Sequence, residues 1–575
     1  MKQLGAYLRP YTLQSVLGPV FKLLEALLEL FVPLVVADVI NVGIAGGDTA
    51  YLLRRCALLV GLGFLGLACS VTAQYFAARA AIGFAGSVRG ALFRKVQSLS
   101  YAELDTLGTS TLMTRMTSDM NQVQTGLNLA LRLLLRSPFV VFGAMLMAFT
   151  IDMKSALVFA VVIPALFVVV FAIMFSCIPL YRRVQERLDG VLGAARENLT
   201  GVRVIRAFGK EAQQIEDFRE KGELLVSAQR FVGRISALLN PVTYVMINLA
   251  VIALVRVGAG QVNVGALTQG QVMALYNYMS QILVELIKLA SLILSMTKAL
   301  AGAKRVAAVL ALQSSLEAPQ KSPEEEAAAP AVAFRNVSFT YPTGGAPALQ
   351  EISFCLGRGQ TLGVIGGTGA GKSTLVNLIA RFYDVSQGTV LVNGCDVRQY
   401  PLQTLRRKLG LVPQKALLFK GTIRENLLWG NENATDDELW QALEAAQALE
   451  VVKGKPEGLD APVETGGRNF SGGQRQRLTI ARALVRKPEL LILDDSASAL
   501  DFATDAALRH ALRALCWKPA VIVISQRTAS IRFADQILVL DDGKAAGLGT
   551  HEALLAQCAV YREIYDSQFK REDAR

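Results

Sequence analysis

Histidine is nearly missing from this 575-residue chain, which has only His510 and His551, and tryptophan is limited to three positions. The seven cysteines (Cys56, Cys69, Cys177, Cys355, Cys395, Cys516 and Cys558) are scattered without a CxxC pair. That spacing speaks against a zinc site and a disulfide framework, and leaves them as reduced or buried thiols. Charge is sparse as well: Asp, Glu, Lys and Arg make up 18% of the chain and are nearly absent from long stretches before residue 300. The opening MKQLGAYLRPY carries Lys2 and Arg9 but no small-residue cleavage pattern, so it does not read as a signal peptide. Leu4, Tyr7, Leu8 and Tyr11 share one helical face there, as a short interfacial helix would.

What the chain has instead is grease. It is 52% hydrophobic with a mean hydropathy of +0.37, more than a soluble enzyme of this size tolerates. A bilayer crossing needs about 20 apolar residues. Six segments qualify, near 16–40, 56–78, 131–151, 156–180, 241–262 and 271–296, the third being weakest because Arg132 and Arg136 shorten it. Short connections alternate with two long ones, 79–130 and 181–240, which are charged and helically periodic.

The net charge of +12 could suggest nucleic acid, but the basic residues cluster beside the apolar segments. Arg89, Arg94, Lys95 and Arg115 lie in one long connection; Arg182, Arg183, Arg187, Arg196, Arg203, Arg206 and Lys210 lie in the other. The positive-inside rule therefore places both connections and both termini in the cytoplasm of a cell-membrane protein, with no nucleic-acid partner. Arg54 and Arg55 break this pattern, as residues that snorkel at a span end. At about 1.5 Å per residue, thirty helical residues carry a span roughly 45 Å beyond the membrane. The arms are expected to turn at 107–120 and 201–214. Within the spans, Lys22, Glu25, Glu29, Asp38, Arg256, Glu285 and Lys288 are costly in hydrocarbon and become functional candidates. Glu285 and Lys288, three apart, can instead neutralise each other. Met145, Met147, Met279 and Met296 could line an adaptable pocket or simply pack.

The bias of QSSLEAPQKSPEEEAAAP toward Pro, Ser, Glu and Ala marks a linker at 313–330. It separates a transmembrane domain, 1–312, from a soluble domain, 331–575. In the latter, TLGVIGGTGAGKST reads as strand, glycine loop and helix start. Gly366, Gly367, Thr368, Gly369, Ala370, Gly371, Lys372, Ser373 and Thr374 form a phosphate-binding loop for ATP. Its backbone N–H groups would turn to the phosphates, Lys372 would reach the β- and γ-phosphates, and Ser373 would ligate Mg²⁺. LLILDD reads as a buried strand delivering Asp494 to Mg²⁺, and the next residue, Asp495, stands where a base for the attacking water belongs. In NFSGGQ, Ser471 is a helix N-cap followed by Gly472 and Gly473.

The order of Tyr341, GGTGAGKST, Gln414 in LVPQ, FSGGQ, LLILDD, SALD and the SQR stretch resembles ABC transporter nucleotide-binding domains. Six spans, two long arms and the phrase ENLTGVRVIRAFGKE resemble the membrane half of an exporter. The resemblance covers essentially the whole chain. It implies an α-helical membrane domain of six transmembrane helices with long cytoplasmic extensions, plus an α/β P-loop nucleotide-binding domain. It further implies two nucleotide-binding domains clamped head to tail around two ATPs. Tyr341 would then stack on adenine, Gln414 would sit at the Mg²⁺, and Asp501 would communicate across the dimer. Ser471, Gly472, Gly473 and Gln474 would bind the partner's ATP. The arm turns would dock on these domains.

Two positions depart from the family. Asp495 replaces the usual Glu, and Gln526 stands where the switch after the next strand normally has His. A carboxylate shorter by one methylene is withdrawn by about 1.5 Å, and misplacement by about 1 Å can cost on the order of 10²-fold in rate. Gln cannot serve as a cation or shuttle a proton. With SGGQ intact, the chain resembles the degenerate-site subunit of a heterodimeric exporter of amphipathic, drug-, lipid- or peptide-like substrates. Alternatives are a homodimer with a weak Asp base, an exporter-fold importer, and a regulatory subunit holding a long-lived ATP.

Overall fold

The computed structural model describes residues 2–316, 319, 321–326, 328–342 and 344–569. The chain divides into two compact units, Met1–Gln97 with Ser110–Leu312, and Ser98–Thr109 with Gln313–Arg575.

The first unit is helical. Among the described residues, five helices are long and apolar enough to cross a membrane: Thr49–Ser98, Thr109–Ile151, Met153–Ala207, Glu211–Asn263 and Gln269–Ala311. The segment expected as the first span forms a helix, Thr12–Asp38. Its 27 residues reach about 40 Å, but Lys22, Glu25 and Glu29 crowd its middle. Lys22 pairs with Glu25 (2.6 Å) and donates to the Ser70 hydroxyl (3.2 Å). Glu29 takes the guanidinium of Arg136 at 2.5 Å.

Arg136 therefore does more than shorten a span. It is buried at the start of the helix Arg136–Ile151, paired with both Glu29 and Glu285. The Ser137 hydroxyl also donates to Glu285 (2.8 Å), and Lys288 lies 2.9 Å from it, the mutual neutralisation expected from their spacing. Buried charges persist only when paired this way. Arg55 finds Asp38 at 3.1 Å, which accounts for a cation that fits the charge pattern poorly.

Both long connections continue the apolar helices as rods, the longest being Met153–Ala207 with 55 residues. The first arm turns earlier than expected. Ser100 caps a short helix, Tyr101–Leu107, and Gly108 (φ 73°) ends it, so 109–120 already belongs to the returning rod. The second arm turns within three residues, 208–210, where Gly209 takes φ 59°. The returning rod of the first arm packs tightly on Gln269–Ala311. A Cβ on Gly126 would lie 2.2 Å from that of Ala299. Nearby, buried Asp119 holds Arg305 (2.5 Å) and Arg115 (2.8 Å).

The second unit is α/β. Its six-stranded sheet runs Lys544–Gly549, Gln536–Asp541, Thr361–Gly366, Ala520–Ile524, Leu490–Asp494, Leu409–Val412, with only the first pair antiparallel. The four central strands are almost wholly buried, as near-continuous Val, Ile and Leu runs demand of a sheet covered on both faces. A smaller antiparallel sheet, Leu349–Leu356, Val332–Phe339, Gln387–Val392 and Cys395–Asp396, shares an apolar cluster with one face of the large sheet, through Leu362, Val364, Ile492 and Ile522. The arm turn belongs to this unit. Tyr101 meets Phe382 at 4.5 Å between ring centroids, Asp105 accepts from the Tyr383 hydroxyl, and Ser315 N–H donates to Glu103 at 3.1 Å.

Candidate nucleotide-binding site

Strand order builds the site. Thr361–Gly366 and Leu490–Asp494 flank Ala520–Ile524, and Ile524 lies level with both Val364 and Asp494. Parallel strands release their loops at one edge, so the glycine loop, the paired acids and the Gln526 switch emerge side by side. This is the edge where open α/β sheets bind ligands.

The loop 366–371 leads into the helix Lys372–Ile379. Gly371 takes φ 97°, and a Cβ there would lie 2.6 Å from the Ala348 carbonyl, so only glycine fits. Gly367 and Gly369 have open space above them, a cradle that side chains do not obstruct. Lys372 Nζ donates to the carbonyls of Gly366 (2.9 Å) and Gly367 (2.6 Å), folding the ammonium over the loop. Burial lowers its pKa, and the charges of Asp495 and Asp494 oppose that shift. Thr374, one turn on, shares its hydroxyl with the Tyr341 hydroxyl at 3.0 Å. The Tyr341 ring packs edge-on against Phe339 and Tyr383, at 4.8 and 5.2 Å. Tyr341 thus ties the smaller sheet to the loop helix.

The two acids are both half-buried but differ in backbone conformation and in partners. Asp494 ends its strand and accepts from the Ser373 hydroxyl at 3.4 Å. Burial, helped by Asp495, raises its pKa, while Ser373 and Lys372 pull it back. Asp495 leaves the strand in the left-handed region (φ 46°, ψ 30°), a conformation that Asp tolerates better than most residues. Its N–H donates to Ile524 O (3.0 Å), and its carboxylate takes the Gln414 amide at 3.3 Å.

Ser373 and Asp494 meet as hard oxygen donors, the chemistry Mg²⁺ selects, and Gln414 bonds the adjacent Asp495 through its amide nitrogen. Among the described residues no three of His, Cys, Asp and Glu gather as a self-sufficient metal site. A Mg²⁺ that borrows phosphate oxygens needs only one or two protein carboxylates, so the residues fit that ion.

Ser471 caps the helix Gly472–Val485 and closes a capping box with Gln474 (2.9 and 3.3 Å). Gly472 has nothing within 4 Å of a would-be Cβ, and a Cβ on Gly473 would lie 3.0 Å from the Ala499 carbonyl. The helix end is therefore open, beside the turn Ser496–Ala499 that follows Asp495. Asp501 caps the next helix by accepting from Thr504 N–H at 2.8 Å. Gln526 is exposed, and its carbonyl accepts from the Gln568 amide at 2.7 Å. Gln568 also takes the N–H and hydroxyl of Thr528, at 2.9 and 2.8 Å. Arg527, the last residue of the SQR stretch, lies over the Phe502 ring at 5.4 Å, whereas Gln568 does not stand out in the sequence. Only the fold brings the C-terminal helix Ala559–Phe569 to the switch.

A glycine loop at a helix start, a lysine folded over it, and a strand-end carboxylate beside the loop's serine define a P-loop nucleotide-binding protein, here carried on a membrane-type helical unit. The chain matches the ABC transporter transmembrane region over 15–286 and the ABC transporter family over 349–498. An uncharacterized ABC transporter ATP-binding protein of Mycobacterium tuberculosis is 37% identical over 570 residues, covering 98% of this chain and 97% of that one. A probable multidrug resistance ABC transporter ATP-binding/permease protein of Bacillus subtilis is 32% identical over 582 residues, covering 99% and 97%. A bacterial Atm1-family ABC exporter solved with ATP bound shares the fold, with a TM-score of 0.80 at 23% identity, covering 98% of this chain and 99% of that one. The chain belongs to the ABC transporter family, with a fused transmembrane region and ATP-binding domain of the exporter fold.

Proposed function

We propose that this chain is the ATP-binding and permease subunit of a heterodimeric exporter in which it supplies the weaker ATP site. The observation that carries this reading is Asp495. It occupies the position of the attacking-water base with a side chain about 1.5 Å short, and its carboxylate is engaged by Gln414 at 3.3 Å. Gln526 supports it independently, since an amide bonds a phosphate without carrying charge or a proton.

In this reading the chain's own groups bind more than they break. The loop 366–371 offers N–H groups at a helix start, and Lys372 exchanges its glycine carbonyls for β- and γ-phosphate oxygens. Ser373 and Asp494, with Gln414 alongside, would hold a Mg²⁺ ion, which supplies charge neutralisation at the phosphates. Tyr341 would face adenine from the edge of the smaller sheet. The open end Ser471–Gln474 would close on the partner's ATP, completing a site whose base comes from the partner subunit.

Closure would reach the membrane through the arms. The turn Tyr101–Leu107, held by Phe382 and Tyr383, continues the helix Thr49–Ser98. The second turn leaves Val204 and Phe208 exposed, an apolar surface suited to the partner's ATP-binding domain. The spans 1–312 would then alternate access to an amphipathic, drug-, lipid- or peptide-like substrate, with the ATP-binding domain 331–575 and both termini in the cytoplasm. The B. subtilis relative is named for multidrug resistance, which suits such a substrate class.

The test is nucleotide trapping in the assembled transporter. This chain's site should retain ATP over many turnovers while the partner site releases ADP. Equal ADP release from both sites would contradict the reading.

A further inference from the structure

Directly behind the Asp494–Asp495 turn lies a chamber of about 290 Å³. Its inner wall is made by Leu493, Ala497, Leu508, Leu512, Val523 and Ile531, all buried. These come from the strands Leu490–Asp494 and Ala520–Ile524, the helix Phe502–Arg513, the helix Thr528–Ile531 and the turn Ser496–Ala499. The pocket opens to solvent on one side, and its apolar floor is a site for an apolar guest.

Polar groups also line the pocket, and Ser496, Asp505 and Ser530 are as buried as its apolar wall. Among the described residues Asp505 is the only carboxylate lining the chamber, and it is engaged by the Ser530 hydroxyl (3.1 Å) and the Arg509 guanidinium (3.3 Å). The rim is cationic. Arg513 and Lys518 line it and are exposed, and Arg509 lies over the Phe533 ring at 5.3 Å. Arg513 also donates to the Phe533 carbonyl (2.7 Å), which fixes its guanidinium at the rim.

An open pocket with a mainly apolar floor and a cationic rim complements a single-chain anionic amphiphile, with its tail inside and its carboxylate at the mouth. At roughly 30 Å³ per group, water's share of liquid volume, the space holds about ten non-hydrogen groups. We propose that this chamber binds a medium-chain carboxylate. The tail would pack beneath Ser496 and Ala497, which line the chamber and begin the turn leaving Asp495. Occupancy would brace the backbone between Asp495 and Asp501, making the site a regulatory one, distinct from any transport pathway through the membrane unit.

Tryptophan quenching tests this cleanly. Trp429, Trp440 and Trp517 are the chain's three tryptophans, all in the ATP-binding unit, and Trp517 immediately precedes rim residue Lys518. The full chain in lipid nanodiscs is titrated with 10-bromodecanoate, using unbrominated decanoate as competitor. The expected result is saturable quenching that decanoate reverses and Trp517→Phe largely removes. Ala497→Phe, which fills the chamber, should abolish the saturable phase. The double variant Arg513→Glu/Lys518→Glu should weaken binding at least tenfold, and 10-bromodecanol should bind at least tenfold more weakly than the acid. Binding of a fluorescent ATP analogue confirms that each variant is folded. Should Ala497→Phe fail that control, the surface double variant decides. Quenching that never saturates, that survives the rim reversal, or that the alcohol matches would overturn the proposal.

Discussion

The side-chain amide of Gln414 donates to the carboxylate of Asp495 at 3.3 Å, so the residue in the base position is already engaged by the residue expected at the metal. The backbone of Asp495 is fixed too, by Ile524 O at 3.0 Å. Lengthening the side chain is then the simplest way to restore reach. Asp495→Glu is expected to raise ATP hydrolysis at this site by about tenfold or more, on the scale that ångström-level placement commands. Site-resolved ADP trapping measures it.

Asp494 carries a pH signature. Burial raises its pKa, so between the ordinary Asp value and the raised one the folded chain holds a proton that the unfolded chain has released. Nucleotide-free stability should therefore fall as pH rises through that window, and Mg²⁺-dependent ATP affinity should rise through it. Asp494→Asn should flatten both trends. Thermal melts and ATP-analogue titrations with and without Mg²⁺, between about pH 4 and 7, measure them.

One hydroxyl bond helps to dock the arm turn. Tyr383→Phe removes its bond to Asp105 but leaves the ring contact with Tyr101 at 6.3 Å between centroids. The loss is roughly 1 kcal/mol of docking. Transport should drop several-fold while ATP-analogue binding stays within twofold, a split that reads uncoupling and not misfolding.

Helix spacing in the first unit rests on Gly126. A side chain there meets Ala299 at 2.2 Å, and overpacking of this kind costs typically about 1–3 kcal/mol. Gly126→Leu should lower the melting temperature by several degrees. Gly190→Ala, at a helical site with nothing within 4 Å, should not, because it meets no neighbour and favours the helix.

Where one local pattern specifies one element, the sequence is legible. GGTGAGKST and LLILDD read correctly as a loop before a helix and a buried strand, because glycine freedom and unbroken apolar runs are local properties. The turn of the first arm is not local. Periodicity continues through 101–120, and the helix break at Gly108 comes from its φ of 73° and from Tyr101 docking on Phe382, a residue far along the chain. From spacing alone Arg136 reads as an interruption of a span. Its partners Glu29 and Glu285 come from other helices, and no spacing rule joins them. Gln568 is hidden for the same reason, since its partner Gln526 lies 42 residues away.

In the proposed reading Lys372, Ser373 and Asp494 belong to the weaker ATP site, while Ser471–Gln474 complete the stronger one. Two single variants of this chain, compared in the transporter assembled with its partner, test it directly by steady-state ATP hydrolysis. The account predicts that Asp495→Asn leaves turnover within about twofold, whereas Ser471→Arg lowers it by on the order of 10²-fold, the scale of a lost transition-state contact. Comparable losses in both variants would contradict it and would point to two equivalent sites.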